Sequence, residues 1–147
     1  MHTATLLRSL MTLDEIALSV RKFLIDHKGE IDLPSLWDFP NNCCETASFL
    51  LSECILLLYP DTDVFIVKSY LHPGIHIWVE VDKLIYDITL DQYAEFDGIV
   101  IGVESSVEHI QYKDIEKILY LSERLQNAWF PSKDEAFQDA AKKILNG

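Results

Sequence analysis

The chain has 147 residues, of which 49% are hydrophobic and 24% are charged, and its formal net charge is −12 at pH 7. A chain of this length can bury a core of its own, so we expect a single folded domain over residues 1–147. The acidic excess disfavours a nucleic-acid partner, because affinity for phosphates depends on Lys and Arg, and the lack of an apolar run near ~18 residues disfavours a membrane span.

The first residues give no sign of a targeting segment. Arg8 interrupts the apolar side chains of residues 1–13, and no small-residue cleavage site follows them. The three cysteines are an odd number, which fits a reducing compartment better than a disulfide framework. We therefore expect a cytoplasmic protein, and export as an effector by a dedicated secretion system is compatible with the same features.

The first predicted helix runs from Leu13 to His27. Thr12 and Glu15 have the spacing of a capping box, and Gly29 follows as a stop. Residues 33–40 then contain two prolines and two large aromatic side chains, which predict an ordered surface loop and a candidate wall of a cleft.

The second predicted helix covers residues 43–58 and is unusually apolar. Asn42 is the predicted N-cap, and Pro60 stops the helix soon after its last residue. The apolar side chains surround the helix on most sides, so we expect it to be the central, buried helix of the domain.

The middle of the chain has the pattern of an antiparallel sheet. Residues 64–71 and 98–103 read as strands, and residues 75–81 and 84–88 read as a hairpin about Asp82 and Lys83. Residues 112–126 return to helical spacing, and Ser132 and Glu135 form a second capping box before a last helix. The predicted architecture is α+β, with a central helix packed on a short antiparallel sheet and flanked by helices.

A reactive thiol is predicted at the start of the central helix. Cys44 lies near the second helical position if Asn42 is the cap, and the N–H groups there favour a thiolate and could stabilise an oxyanion. Cys43 points about 100° away around the helix, and Cys54 lies in its apolar middle, where a small buried side chain is expected. Adjacent cysteines lack the Cys-x-x-Cys spacing of a zinc site, so we predict no metal and no cofactor.

The hairpin supplies a base and a group that orients it. A turn at Asp82 and Lys83 places His76 and Asp87 on one face of the two strands, opposite or diagonal to each other within ~5–8 Å. Trp78 shares this face and could shield the pair from water.

The other polar residues of this region receive structural interpretations. Glu80 is expected to be a solvated charge, and Asp91 and Gln92 are expected to form a turn that ties down the end of the second strand. His2, His27 and His109 have no acidic or thiol context in the sequence, so no role is predicted for them.

The order of these residues resembles the transglutaminase-like branch of the papain-like cysteine proteases, in which a helix-start Cys, a strand His and a next-strand Asp form a triad. The similarity covers residues 39–103 and is greatest to small bacterial and phage-associated members. It is carried by Cys44-x-x-Ala47-Ser48, His76-x-Trp78-x-Glu80 and Asp87-x-Thr89-x-x-Gln92-Tyr93.

The resemblance implies a papain-like core and a catalytic triad of Cys44, His76 and Asp87. Asn41 and Asn42 are candidates for an oxyanion-stabilising side chain, with the cap role preferred for Asn42, and Trp78 and Gln92 are candidates for the substrate cleft.

The expected activity is hydrolysis of an amide bond in a peptide or protein substrate, by a peptidase, amidase or deamidase, without a nucleic-acid or membrane partner. Acyl transfer by the same triad is one alternative. A catalytically silent binding protein is another, because Glu45 follows the thiol and opposes its ionisation. A redox protein that uses the Cys43 and Cys44 pair is a third.

Overall fold

The computed structural model of the protein describes residues 11–33, 36–71, 74–92, 98–104, 106, 109, 113–122 and 134–146. These parts of the chain form an α+β fold with three α-helices and a five-stranded antiparallel sheet. The helices are α1 (Leu13–His27), α2 (Cys44–Leu58) and α3 (Asp134–Asn146). The strands are β1 (Phe65–Leu71), β2 (Gly74–Val81), β3 (Leu84–Asp87), β4 (Val100–Val103) and β5 (Lys113–Leu119). None of the described helices is long and apolar enough to cross a membrane.

Helix α1 has the predicted bounds, and both hydrogen bonds of the capping box at Thr12 and Glu15 are present. Helix α2 is the central helix that the apolar pattern predicts, because every residue from 46 to 55 is buried. It packs against α1, α3 and strand β2. The helices therefore form one layer that covers the sheet, with α2 in contact with the strand that carries His76.

The predicted N-cap of α2 is wrong by one residue. Cys43 is the N-cap, and its carbonyl accepts the N–H of Ala47 at 2.8 Å. Asn42 has a positive φ of 56° and its amide donates to Asp38 Oδ2 at 3.3 Å. Asparagine tolerates this left-handed conformation better than most residues, so it serves as a turn residue here. Cys44 is consequently the first residue of the helix.

The predicted hairpin is confirmed. The sheet order is β4-β3-β2-β1-β5, and β2 pairs with β3 so that Val81 is opposite Leu84. Asp82 and Lys83 form the two-residue turn, with φ values of 51° and 67°. Two positive φ angles are the signature of the turn whose twist suits a hairpin, so the turn itself fixes the register of the strands.

The two faces of the sheet carry different side chains. Ile77, Val79 and Val81 of β2 belong to the main core with the helices, and Ile66 and Tyr86 join them from the neighbouring strands. Even-numbered residues face the other way, where Trp78 packs with Val67 and Ile85 in a smaller cluster. Strand alternation therefore places the polar residues of the hairpin outside the main core.

The helix predicted over residues 112–126 is wrong for residues 113–119, whereas residues 120–122 are helical. Residues 113–119 form β5, which pairs with β1 at the edge of the sheet. The segment is rich in Lys, Asp and Glu, which are typical of protected edge strands and also common in helices. Ile118 lies beside Ile66 on the core face, and pairing with β1 outweighs the helical spacing. Residues 112 and 123–126 lie outside the described part.

The last predicted helix is confirmed over α3. Phe137, Ala141 and Ile144 face the core, as their spacing predicts. Ser132, the predicted cap, lies outside the described residues.

We predict that Lys83→Gly raises the free energy of unfolding by about 0.5–1 kcal/mol, because glycine adopts a positive φ without the steric cost that lysine has. Lys83 is exposed, so no packing is lost. The check is urea denaturation at constant pH. Lys22→Gly is the matched control, because it removes an exposed lysine from α1 and should destabilise the protein by about 1 kcal/mol. Destabilisation by both variants would contradict the strain assigned to the turn.

Candidate active site

Cys44 lies in the first turn of α2, at the point where the helix meets the start of β2. Its side chain is half-buried and lies close enough to the imidazole of His76 to raise the pKa of that ring. One turn further along, the hydroxyl of Ser48 donates to the carbonyl of Ile77 at 3.3 Å. This bond holds the start of the helix against the residue next to His76, so the fold positions the thiol beside the imidazole.

The hairpin brings His76 and Asp87 together, as the parity of the turn predicts. His76 Nε2 lies 2.6 Å from Asp87 Oδ2, and both side chains are completely buried. Cys44, His76 and Asp87 therefore lie next to one another in that order.

The protonated form of His76 is favoured by this arrangement. Burial alone would lower the pKa of His76, but the hydrogen bonds to Asp87 and Cys44 and the negative charges of both groups outweigh it and raise the pKa from 6.5 to about 9. A cationic imidazole beside the sulfur stabilises a thiolate by direct charge attraction. The arrangement therefore favours an imidazolium at His76 next to the side chain of Cys44.

Asp87 is a buried carboxylate whose negative charge is stabilised by several hydrogen bonds. The backbone N–H of Thr89 donates to Oδ1 at 3.2 Å, and two histidines contact Oδ2. Burial would raise the pKa of Asp87, but the hydrogen bonds and charges of His109 and His76 lower it overall. The carboxylate is thus held in the ionised form that can orient an imidazole.

The second histidine on Asp87 is His109, which the sequence does not single out. Its Nε2 lies 2.7 Å from Asp87 Oδ2, and its Nδ1 contacts the hydroxyl of Ser106. The side chain is 3% exposed. His109 is separated from Asp87 by 22 positions and follows β4, so only the fold brings the two residues together.

Trp78 lies where the hairpin pattern predicts, against the histidines. Its ring is 5.8 Å from that of His76 and meets the ring of His109 edge-on at 4.6 Å, measured between centroids. The expectation of a solvated Glu80 is wrong, because Glu80 is buried. It accepts hydrogen bonds from Trp78 Nε1 at 3.3 Å and from Lys117 Nζ at 2.8 Å. A cross-strand cation on β5 thus stabilises the carboxylate that holds the tryptophan.

The end of β3 is tied to α1, in agreement with the structural interpretation of the turn after it. Arg21 of α1 donates to both carboxylate oxygens of Asp91, at 2.5 and 3.0 Å, and to the carbonyl of Ile88 at 2.7 Å. Gln92 ends the short 3-10 turn that contains Asp91. The side chain of Gln92 lies outside the described residues, as does Tyr93.

The candidate oxyanion residues Asn41 and Asn42 are both exposed and belong to the turn before α2. The N–H of Asn41 donates to the carbonyl of Asp38 at 2.7 Å, and the amide of Asn42 donates to the carboxylate of the same residue. These bonds connect the two residues to Asp38, whereas Cys44, His76, Asp87 and Trp78 are brought together.

The other two cysteines have surroundings that oppose ionisation. Burial, with the nearby Cys44 and Asp38, raises the pKa of Cys43 to about 12. Burial in the middle of α2 raises the pKa of Cys54 as well. Cys44 is therefore the thiol that the structure places next to a base.

His76, Asp87 and His109 also form a group of potential metal ligands whose ligating atoms all lie within 4.8 Å of one another. Adjacent ligands of a tetrahedral zinc ion are about 3.3 Å apart, given metal–ligand distances of about 2.0–2.1 Å. The separations of 2.6 and 2.7 Å here are shorter than that and fit shared protons. A metal ion would require the three side chains to move apart.

Comparison with known proteins adds no assignment, because no protein-family model, curated protein or solved structure matches the chain. The interpretation of the site depends on its own geometry.

We predict that stability decreases as pH rises from 6.5 through about 9. A folded-state pKa of His76 near 9, against 6.5 when unfolded, makes its protonation stabilising, and this contribution is complete below pH 6.5 and lost above 9. The loss attributable to His76 is on the order of 3 kcal/mol. Urea denaturation at pH 6 and pH 9 measures it. In His76→Gln the difference between the two pH values should be much smaller, and an equal pH dependence in both proteins would contradict the assignment.

Proposed function

We propose that the protein is a cysteine-dependent hydrolase that cleaves amide bonds with a triad of Cys44, His76 and Asp87. The observation that supports this proposal is the buried pair of His76 and Asp87, whose Nε2 and Oδ2 atoms are 2.6 Å apart, with Cys44 next to His76 at the start of α2. Nucleophilic catalysis by cysteine requires a thiolate, a base that accepts and returns its proton, and a group that orients the base. The three residues meet these requirements in that order.

In the first step the Cys44 thiolate attacks the carbonyl carbon of the amide. A carbon–sulfur bond forms, and the carbonyl π electrons move to the oxygen, where the N–H of Cys44 at the start of the helix donates to the oxyanion. The intermediate then collapses, the carbon–nitrogen bond breaks, and the imidazolium of His76 gives its proton to the departing amine. Asp87 keeps the ring in position throughout this exchange.

The first step leaves the acyl group bound to the sulfur of Cys44 as a thioester, and the second step hydrolyses this thioester. Neutral His76 takes a proton from water, the hydroxide oxygen bonds to the acyl carbon, and the carbon–sulfur bond breaks to release a carboxylic acid and regenerate the thiolate. If an amine replaces water, the same residues perform acyl transfer. We favour hydrolysis, and acyl transfer remains the alternative with the same triad.

The proposal extends to the fold family and the substrate. The order of helix-start cysteine, strand histidine and next-strand aspartate supports a papain-like core of the transglutaminase-like type. The net charge of −12 favours a peptide or protein substrate with basic character over an anionic one. We propose cytoplasmic action without a nucleic-acid or membrane partner.

Glu45 supports a second candidate, a binding protein that has the same fold and no activity. A carboxylate next to Cys44 opposes ionisation of the thiol. However, Glu45 lies in the first turn of α2, where an acidic side chain stabilises the helix through its dipole. This structural role explains Glu45 without loss of activity, so the enzyme is preferred.

We predict that iodoacetamide at pH 6 labels Cys44 much faster than Cys43 or Cys54. The cationic His76 stabilises the thiolate of Cys44, whereas burial raises the pKa of the other two thiols. His76→Ala should slow the labelling of Cys44 roughly tenfold to a hundredfold. Peptide mass mapping at several time points gives the three rates separately. Slow labelling of all three cysteines at similar rates would reject the active triad and favour the binding protein.

We also predict products from a library of peptides incubated with the protein and analysed by mass spectrometry. A cleavage, a loss of ammonia and a cross-link change the mass differently, so one measurement separates peptidase, deamidase and acyltransferase. Cys44→Ala should abolish the products, whereas Cys54→Ala, the matched control, should retain them. Products that persist in Cys44→Ala would show that the thiol is not the nucleophile.

A further inference from the structure

The carboxylate of Asp87 has a second hydrogen-bonded arm that the triad does not use. On one side Oδ2 contacts His76 at 2.6 Å, and on the other it contacts His109 at 2.7 Å. His109 in turn contacts Ser106 through its other ring nitrogen. The chain of Ser106, His109 and Asp87 thus approaches the same oxygen from a separate part of the sequence.

The hydrogen-bond partners of His109 determine where its proton lies. The ionised Asp87 can only accept, so Nε2 of His109 carries the proton that it donates to Oδ2. Nδ1 contacts the hydroxyl of Ser106, whose oxygen also accepts the backbone N–H of His109 at 3.0 Å. Ser106 and Asp87 thus contact both ring nitrogens of His109 and hold Nε2 against Oδ2.

Two donors other than His76 fix both oxygens of the carboxylate. Thr89 N–H holds Oδ1 and His109 holds Oδ2, so rotation of the carboxylate about its Cβ–Cγ bond breaks at least one hydrogen bond. Burial excludes solvent that would replace a lost partner, because Asp87 is 1% exposed and His109 is 4% exposed. The ring of Trp78 also packs edge-on against the ring of His109, and this contact helps to keep the second imidazole in place.

We propose that His109, held by Ser106, is a positioning residue that fixes Asp87 Oδ2 towards His76 and so maintains the orientation of His76 relative to Cys44. The inference rests on the proposed triad. His109 acts through Asp87, and its loss would let the carboxylate rotate and admit water, which weakens the attraction between Asp87 and the cationic His76.

The test compares His109→Gln with His109→Asn. The amide nitrogen of glutamine can reach the position of Nε2 and keep a donor on Asp87, whereas asparagine is shorter and reaches only the Ser106 side. We expect His109→Asn to slow alkylation of Cys44 at pH 6 about tenfold and to move the low-pH limb of the rate profile to higher pH, as loss of an outer-shell partner does. His109→Gln should remain close to the unmodified protein. His27→Asn, at an exposed histidine of α1, is the control for the same substitution.

Outcomes that overturn the proposal are distinct from a general loss of folding. Equal alkylation profiles in the unmodified protein and His109→Asn would reject a positioning role. Equal slowing by the Gln and Asn variants would also reject it, because that result indicates packing alone. Should His109→Asn fail to fold, Ser106→Ala leaves the imidazole intact, and we expect a few-fold slowing. No slowing in Ser106→Ala would then overturn the proposal.

A second readout separates this inference from the proposed function. The Nε2 proton of His76, buried in a 2.6 Å hydrogen bond, should give a far-downfield proton resonance that shifts upfield in His109→Asn and less in His109→Gln. This signal needs no reactive thiol. If Cys44 of the unmodified protein is unreactive but the resonance responds as expected, the triad function fails and the positioning role survives. An unchanged resonance in His109→Asn overturns the positioning role even where Cys44 reacts rapidly.

Discussion

The buried negative charge of Asp87 is the constraint on which the site depends. An ionised carboxylate without partners inside a protein costs several kcal/mol, so the fold must provide donors around it. Within the described part of the chain it provides three, which are the two imidazoles and the backbone N–H of Thr89. The same bonds that stabilise the charge also fix where it points. Stability and orientation of the site therefore have one physical cause.

The surrounding elements supply these donors from three directions. The tight turn between β2 and β3 places His76 and Asp87 on the same face of the hairpin, and the start of α2 brings Cys44 next to the imidazole of His76. Arg21 of α1 holds the chain just beyond β3 by contacts with Asp91 and the Ile88 carbonyl. Each element is part of the ordinary core packing, yet together they leave little freedom at the hairpin. The polar site is thus a consequence of how the helices and the sheet meet.

Short sequence patterns predict those parts of the site that depend on neighbouring residues in the chain. A two-residue turn fixes which strand positions share a face, so the His76 and Asp87 pair follows from counting residues, and the apolar run of α2 predicts its burial.

The sequence-based predictions fail where contacts between residues far apart in the sequence determine the structure. His109 gains its role from a carboxylate far away in the sequence, Glu80 is buried because Lys117 reaches it from β5, and β5 itself is a strand because β1 offers an unpaired edge. Asn42 differs for a local reason, since a left-handed turn residue and a helix cap attract the same amino acid. The resemblance to a branch of the cysteine proteases concerns only the features that short sequence patterns predict, which are the start of α2 and the hairpin.

The sheet order also gives the two arms on Asp87 different lifetimes. Strand β2 lies in the middle of the sheet, whereas β4 and β5 are its edges, and His109 lies between these edge strands in the chain. Local opening of an edge costs less free energy than opening of the centre, so backbone amides of the hairpin belong to the slowest-exchanging part of the protein. The His76 and Asp87 pair thus outlasts fluctuations that release His109. Local opening of the edge strands would first release His109 and change the alignment of the Asp87 carboxylate. The contact between His76 and Asp87 would be lost only in a larger opening that includes the centre of the sheet.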